Sequence, residues 1–417
     1  MSRPTLVSAL LVGLSQLTLG ADDWTRFRGP NGQGVTPTPA PVTWSATENV
    51  RWAVDVPAEG WSSPVVADGR VFLTGATDGG KGCHVLAFDA ATGKRLWDTH
   101  VFDQATLRKE GKNSYATPTP VVADGAVYAV FGEGGIAAVN AADGQVRWTF
   151  QEVKFYSQHG LGASPVVWQN LLVMPFDGSS PGPDKKVGWQ TPWDGAFVLA
   201  LDRATGREVW RAKRGPSRIG HSTPAVLTVG GRDVLVSQGG DVVQGFDPAT
   251  GERLWSVKNT GEGLVPSPVI GGGKLFTTPG WPTPALRAWT VATGGPPAQA
   301  WQVTKNVPMM PSAVHVNGLL FTVSEKGFAA CLDPATGEAQ WEERLPGSYS
   351  ASLIAAGGKV YAVSEQGEAT VFDAGPVFNV VSRNKLPGVF QATPAPADGS
   401  LYLRSDKRLY CIAQPAR

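Results

Sequence analysis

A tryptophan recurs four residues after a Gly-containing turn along most of this chain, and that recurrence constrains the fold before any single residue points to a chemistry. The clearest copies are AFDAATGKRLW ending at Trp97, VNAADGQVRW at Trp148, ALDRATGREVW at Trp210, GFDPATGERLW at Trp255 and CLDPATGEAQW at Trp341. Trp301 closes a degraded copy and Trp52 precedes the first. The intervals run from about forty to about sixty residues, the period of one four-stranded propeller blade.

Each residue type in the repeat has a physical role. The Asp of D-x-x-T-G (Asp89, Asp202, Asp247 and Asp333, with Asn140 substituting) can hydrogen-bond the backbone of the turn it opens. The Gly (Gly93, Gly144, Gly206, Gly251 and Gly337) supplies a positive φ. This is a short hairpin with a bulge, and the strand after it delivers the Trp to one face. An indole buries about 150–250 Å², so the docking set Trp52, Trp97, Trp148, Trp210, Trp255, Trp301 and Trp341 is expected to hold blade against blade.

Every unit also opens on a small hydroxyl residue: Ser63, Thr119, Ser164, Thr223, Ser267, Ser312, Ser352 and Thr393. Most of these openings carry Pro, which is confined to the first position or the edge of a strand, so each marks where a strand begins. Eight openings imply eight blades. The seventh copy, VFDAGPVFNVV, places Val381 where Trp is expected, and the eighth unit ends at CIAQPAR without a fourth strand. The segment NVRWAVDV, carrying Trp52, is expected to supply that strand, and closing the ring this way removes an exposed sheet edge. The fold class is therefore all-β, an eight-bladed β-propeller over residues 48–417 closed by an N-terminal strand. Its 51 Gly and 33 Pro in 417 residues suit such an array of turns.

Residues 1–20, with Arg3 ahead of the apolar run LVSALLVGLSQLTLG, read as a secretory signal peptide too short to span a bilayer comfortably. Residues 21–47 form a lead-in segment. The protein is expected to be exported, periplasmic or extracellular, without a transmembrane segment and monomeric. No cysteine follows the cleavage region, so nothing there indicates a lipid anchor. Cys83, Cys331 and Cys411 fall in different blades and read as small buried hydrophobes rather than a disulfide framework. A net charge of +1 with scattered Lys and Arg leaves no basic stripe for nucleic acid.

The repeat A-x-D-x-x-T-G-x-x-x-W, as in Ala87 to Trp97 and Ala200 to Trp210, resembles the tryptophan-docking repeat of the pyrroloquinoline quinone (PQQ)-like propeller family. The resemblance runs from about residue 50 to the C-terminus, and DDWTRFRGPNGQGV (Asp22 to Val35) is similar to the lead-in of exported proteins of that kind. The family includes quinoprotein dehydrogenases, which bind PQQ and Ca²⁺, and non-enzymatic members such as the lipoprotein scaffold of the outer-membrane β-barrel assembly machinery. The dehydrogenases are expected to carry adjacent cysteines near the cofactor, and this chain has none.

Propeller ligands sit at the central channel, on the face carrying the loops between one blade's outermost strand and the next blade's innermost. Those loops here bring Trp61, Asn113, Tyr115, His159, His221 and Glu262 toward one mouth, a mixture suited to a polar small molecule or peptide, or simply to structural hydrogen bonding. The third blade adds a long insertion, Phe176 to Gly195. Its Trp189 and Trp193, with Trp61 and Trp281 on neighbouring loops, lie outside the docking motif and suit protein or sugar recognition, or capping of the channel.

Enzyme chemistry finds little support. The five histidines show no metal-ligand spacing, although His159 and His221 can approach in the fold, and GATDGGKG from Gly75 lies in a hairpin with no following helix to complete a phosphate loop. No catalytic or metal residue and no cofactor is expected. The leading expectation is a non-catalytic scaffold that binds an envelope protein or peptide. The alternatives are a small PQQ-dependent oxidoreductase, with Glu262 or Asn113 near a Ca²⁺, and a glycan-binding module using Trp189 and Trp193.

Overall fold

The computed structural model describes residues 22–292 and 295–414. The expected signal peptide lies outside the described residues. Eight antiparallel four-stranded units are arranged in chain order around a ring, each running from an innermost to an outermost strand. Blade one shows the pattern: Val65–Ala67 is innermost, followed by Arg70–Thr77, Gly82–Asp89 and the outermost Arg95–Asp103. In blade eight the outermost strand is Val50–Asp55, which pairs with Arg408–Ile412 and sets Trp52 opposite Cys411. The two ends of the chain therefore share one sheet, as the repeat count requires.

The docking arrangement explains the repeat residue by residue. Trp52, Trp97, Trp148, Trp210 and Trp301 each lie over the turn glycine of the next blade: Gly93, Gly144, Gly206, Gly251 and Gly337. A Cβ on any of these glycines would fall 2.5–2.7 Å from its nearest neighbour, so a side chain is excluded there in addition to the positive φ. The indole Nε1 then donates to a carbonyl of that same blade, as in Trp52 to Ala90 at 3.1 Å, Trp148 to Arg203 at 3.0 Å and Trp210 to Pro248 at 3.1 Å. Opposite each indole on the third strand stands a small residue: Ala87, Ala138, Ala200, Gly245, Ala288, Cys331 or Cys411. Cys331 and Cys411 are thus packing residues, buried and free like Cys83, and burial pushes the Cys331 thiol up to about 11.

Blade seven corrects one expectation. Every outermost strand carries a bulge just before its docking position. In blade seven Val371 pairs with Ser382 and Phe372 with Val380, so Val381 is the bulge residue and Ser382 holds the tryptophan position. The reason lies in the next blade. Because blade eight is assembled from both chain ends, no hairpin joins its third and fourth strands, and a Trp from blade seven would have no turn to dock on.

The lead-in segment fills that gap. Ser382 Oγ and Asn384 Nδ2 both donate to the Val42 carbonyl, the latter at 2.9 Å, and Asn384 Oδ1 accepts the Trp44 N–H at 2.9 Å. Trp44 is 2% exposed and belongs to the core shared by blades seven, eight and one. Further upstream, residues 22–36 form a loop fastened at its ends by Thr36 Oγ1 donating to Asp22 at 2.8 Å. This loop bonds to innermost strands around the ring: Trp24 bridges Val66, Thr25 accepts from Val122, Gln33 accepts from Ile270, and Val35–Thr36 pairs in parallel with Ala355 and Ala356. It also contacts Asp68 and Asp398 in the turns between first and second strands, so it closes the channel from the face opposite the long loops.

Candidate functional site

The eight hydroxyl residues that open the repeats form a belt around the channel. The backbone N–H of Ser63 donates to Thr119 Oγ1, Thr119 to Ser164, Ser164 to Thr223, Ser267 to Ser312, Ser312 to Ser352, Ser352 to Thr393 and Thr393 back to Ser63, all at 2.9–3.0 Å. One link is open: the buried Ser267 hydroxyl has no partner. Small hydroxyl side chains are required because each must accept a main-chain N–H across a blade boundary while leaving the channel clear.

Above the belt lies a cup of about 260 Å³ whose lining includes Phe27 of the lead-in loop, belt hydroxyls and, at the mouth, Trp61, Glu110, Lys112, Asn113, His159 and His221. Four of the residues expected from sequence to face the channel, Trp61, Asn113, His159 and His221, therefore line one cavity. Tyr115 does not: its hydroxyl donates to the Leu107 carbonyl at 2.6 Å and it lines a side groove instead. Glu262 is also outside the lining, although the adjacent Gly263 belongs to it.

Asn113 is committed to structure. Its Nδ2 donates to the carbonyls of His159 and Leu161, at 2.8 and 3.4 Å, while its Oδ1 accepts from the Ser114 N–H and the Thr117 hydroxyl. His159 and His221 stand with ring centroids 6.0 Å apart. His221 is 7% exposed, its Nδ1 has no partner, and burial followed by the neighbouring His159 pushes its pKa down to about 3. Burial lowers His159 as well, so both rings are neutral at pH 7.

On one side of the mouth the loops of blades three to five form a continuous rim. Within it Ile219 donates to Gly188 at 2.7 Å, Trp193 bridges Ser217, Gly220 bridges Leu264, and Glu262 bridges Trp281. The long insertion is thereby sewn onto its neighbours. Trp189 packs edge-on to His159 at 6.1 Å, and burial chiefly raises the nearby Glu262 carboxyl, whose Oε2 has no hydrogen-bond partner. Trp193 is half-buried over Gly195, whereas Trp281 is 60% exposed. Sequence reading missed the lead-in loop as part of the site, since nothing local in DDWTRFRGPNGQGV marks Phe27 as the residue beneath the cup.

Among the described residues no group of three or more His, Cys, Asp or Glu side chains is placed to hold a metal ion. The family model described as outer membrane protein assembly factor BamB matches residues 35–160, 101–180, 164–279 and 286–376, more than half of the chain. This chain belongs to that family. The BamB of Burkholderia pseudomallei (strain K96243) is 26% identical over 254 residues, covering 54% of this chain and 62% of that protein. The BamB of Nitrosomonas eutropha (strain DSM 101675 / C91 / Nm57) is 30% identical over 116 residues, 26% of this chain and 27% of that protein. The chain thus spans less than two thirds of the length of these curated relatives. Two solved structures share the BamB-type fold: BamB from Moraxella catarrhalis, with a TM-score of 0.60, 14% identity and coverage of 88% of this chain and 98% of that one, and a quinohemoprotein alcohol dehydrogenase from Comamonas testosteroni, with a TM-score of 0.62, 12% identity and coverage of 95% and 81%. At such identities the likeness establishes the eight-bladed fold alone.

Proposed function

We propose that this protein is an exported, non-catalytic scaffold of the cell envelope that docks a protein partner of outer-membrane assembly on the rim formed by the loops of blades three to five. The observation that carries this reading is Trp281, an indole 60% exposed at the end of a rim whose backbone is bridged throughout. A large exposed aromatic on a rigid support costs little ordering entropy on binding, which is the usual make-up of a hot spot. Glu262 supports it through paired backbone hydrogen bonds at 2.8 and 2.9 Å. Membership of the BamB family supports a partner in that machinery. No helix among the described residues is long and apolar enough to cross a membrane.

The residues present do not fit the PQQ and Ca²⁺ alternative. Both amide atoms of Asn113 are held by protein groups, and Glu262 lies outside the lining of the cup. The test is co-purification of outer-membrane assembly components with the tagged protein from envelope extracts, comparing wild type with Trp281→Ala. Loss of capture by Trp281→Ala at unchanged thermal midpoint is expected. Equal capture by both proteins, or dye-linked alcohol oxidation on adding PQQ and Ca²⁺, would overturn the reading.

A further inference from the structure

Two arginines of the lead-in loop stand apart from the other buried arginines among the described residues. Arg214 is bound bidentately by Asp177 and also reaches Ser237 and Gln244; Arg218 is bound by Asp241. Arg404, without a carboxylate, donates to the carbonyls of Ser62, Thr74 and Ala58 and to the Ser62 hydroxyl. Arg26 and Arg28 are as deeply placed, 7% and 0% exposed, yet Nε of Arg26 and both Nε and Nη1 of Arg28 lack any partner. Only Arg28 Nη2 is used, donating to the carbonyls of Gln33 and Ala313.

Burial depresses both groups, Arg26 to about 10 and Arg28 to about 9, and the one charge acting on Arg28 is the like charge of Arg26. Two neighbouring guanidinium groups without a counter-charge carry a large desolvation cost, and each orphaned donor adds to it. Removing one arginine would relieve that cost. The chain instead makes room for both: a Cβ at Gly32 would lie 2.0 Å from Arg26 Nη2, and one at Gly34 would lie 3.1 Å from Arg28 Nε. Arg28 Nη2 is taken by carbonyls, so Arg28 offers Nε and Nη1 as single donors on different edges and Arg26 adds its Nε; charged N–H donors of this kind recognise oxyanions.

We propose that Arg26 and Arg28 form a binding site for one small oxyanion of the phosphate or sulfate class, held by the lead-in loop in the central channel and separate from the loop-bearing rim. The anion supplies the missing counter-charge and accepts from unpartnered N–H groups of the two arginines. The 7% of Arg26 that remains exposed gives the site its outlet. Occupancy locks residues 22–36 into the channel and so couples anion binding to the stability of the whole ring.

The test is calorimetric titration of the full chain with sodium sulfate and with sodium phosphate, in chloride buffer at matched ionic strength, alongside thermal melts. Saturable one-to-one binding of either anion with a rising midpoint is expected. Arg26→Gln, which removes no hydrogen bond within the protein, weakens binding at least ten-fold and leaves the anion-free midpoint unchanged or higher. Arg28→Lys, which retains the charge but loses the directed Nε and Nη1 donors, also weakens it. Arg232→Gln, which removes one surface charge, leaves affinity within two-fold. Absence of saturable binding to wild type, undiminished binding by Arg26→Gln, or an equal loss in Arg232→Gln would overturn the proposal.

Discussion

The backbone N–H of Thr393 donates to the hydroxyl of Ser63 at 3.0 Å, joining residues 330 positions apart and completing the belt at the seam between the last blade and the first. Ser63→Ala leaves that buried N–H without an acceptor, at a cost of about 1–3 kcal/mol. Ser267→Ala serves as the internal comparison, because the Ser267 hydroxyl accepts no bond, and its loss is expected to cost under about 0.5 kcal/mol. Urea denaturation of the two variants measures the difference, and equal losses would mean that the belt contributes nothing at the seam.

The interlock of Trp148 and Gly206 can be separated into strain and contact. Gly206 has φ +71° and a Cβ there would sit 2.6 Å from the Trp148 ring, whereas Gly231 has φ +78° with nothing within 4 Å. Gly231→Ala therefore reports the left-handed backbone penalty alone, about 1–2 kcal/mol, and Gly206→Ala adds displacement of the indole on top of it. Trp210→Ala, which empties an inter-blade slot, is expected to cost about 3–5 kcal/mol, against under about 1 kcal/mol for Trp193→Ala on the rim. Denaturation midpoints at constant slope decide both comparisons.

Fold legibility followed from what is local in the chain. The turn glycine, the Trp four residues later and the small hydroxyl before each innermost strand are all set by short-range geometry repeated in each blade, so they are readable without coordinates. The slip between Val381 and Ser382 arose because the blade-seven turn, Ala374 to Asn379, departs from D-x-x-T-G, which removes the ruler used to place the bulge. The roles of Trp24, Phe27, Arg28 and Trp44 were not readable at all. Their partners lie far off in sequence, 285 positions from Arg28 to Ala313 and 340 from Trp44 to Asn384, and no periodicity announces such contacts. The same limit applied at the mouth, where the sequence leaves Asn113 open between ligand binding and structural hydrogen bonding, and its four hydrogen bonds give the structural role.

Asn384 provides a direct measure of how far the lead-in segment holds the ring closed. It donates to the Val42 carbonyl and accepts from the Trp44 N–H at a blade boundary that carries no docking tryptophan. Asn384→Ala orphans the Trp44 N–H and leaves the Val42 carbonyl to Ser382 alone, and a loss of about 1–3 kcal/mol is expected. Proteolysis should then release the segment around residue 44 ahead of global unfolding. If cleavage there stays as slow as in wild type, the segment is held by packing of Trp44 rather than by Asn384.

His221 makes the ring sensitive to acid in a direction that follows from its burial. Its folded pKa of about 3 lies below the ordinary value of 6.5, so the unfolded chain binds the proton more readily. The stability contributed by the neutral ring is fully present above pH 6.5 and is lost as pH falls toward 3, by at most about 1.4 kcal/mol per pH unit. Asp177 acts with the opposite sign: burial raises it to about 6 despite Arg214, so its protonated form is favoured in the folded state, and its contribution is present below 3.8 and lost as pH rises through about 6. Comparing wild type with His221→Gln cancels the Asp177 effect, which both proteins share. The stability difference between them, measured by urea denaturation from pH 7 to pH 4, should shift steadily in favour of His221→Gln on acidification. Parallel profiles would show that the ring is protonated in the folded state at no cost, and the neutral, buried imidazole at the cup would have to be abandoned.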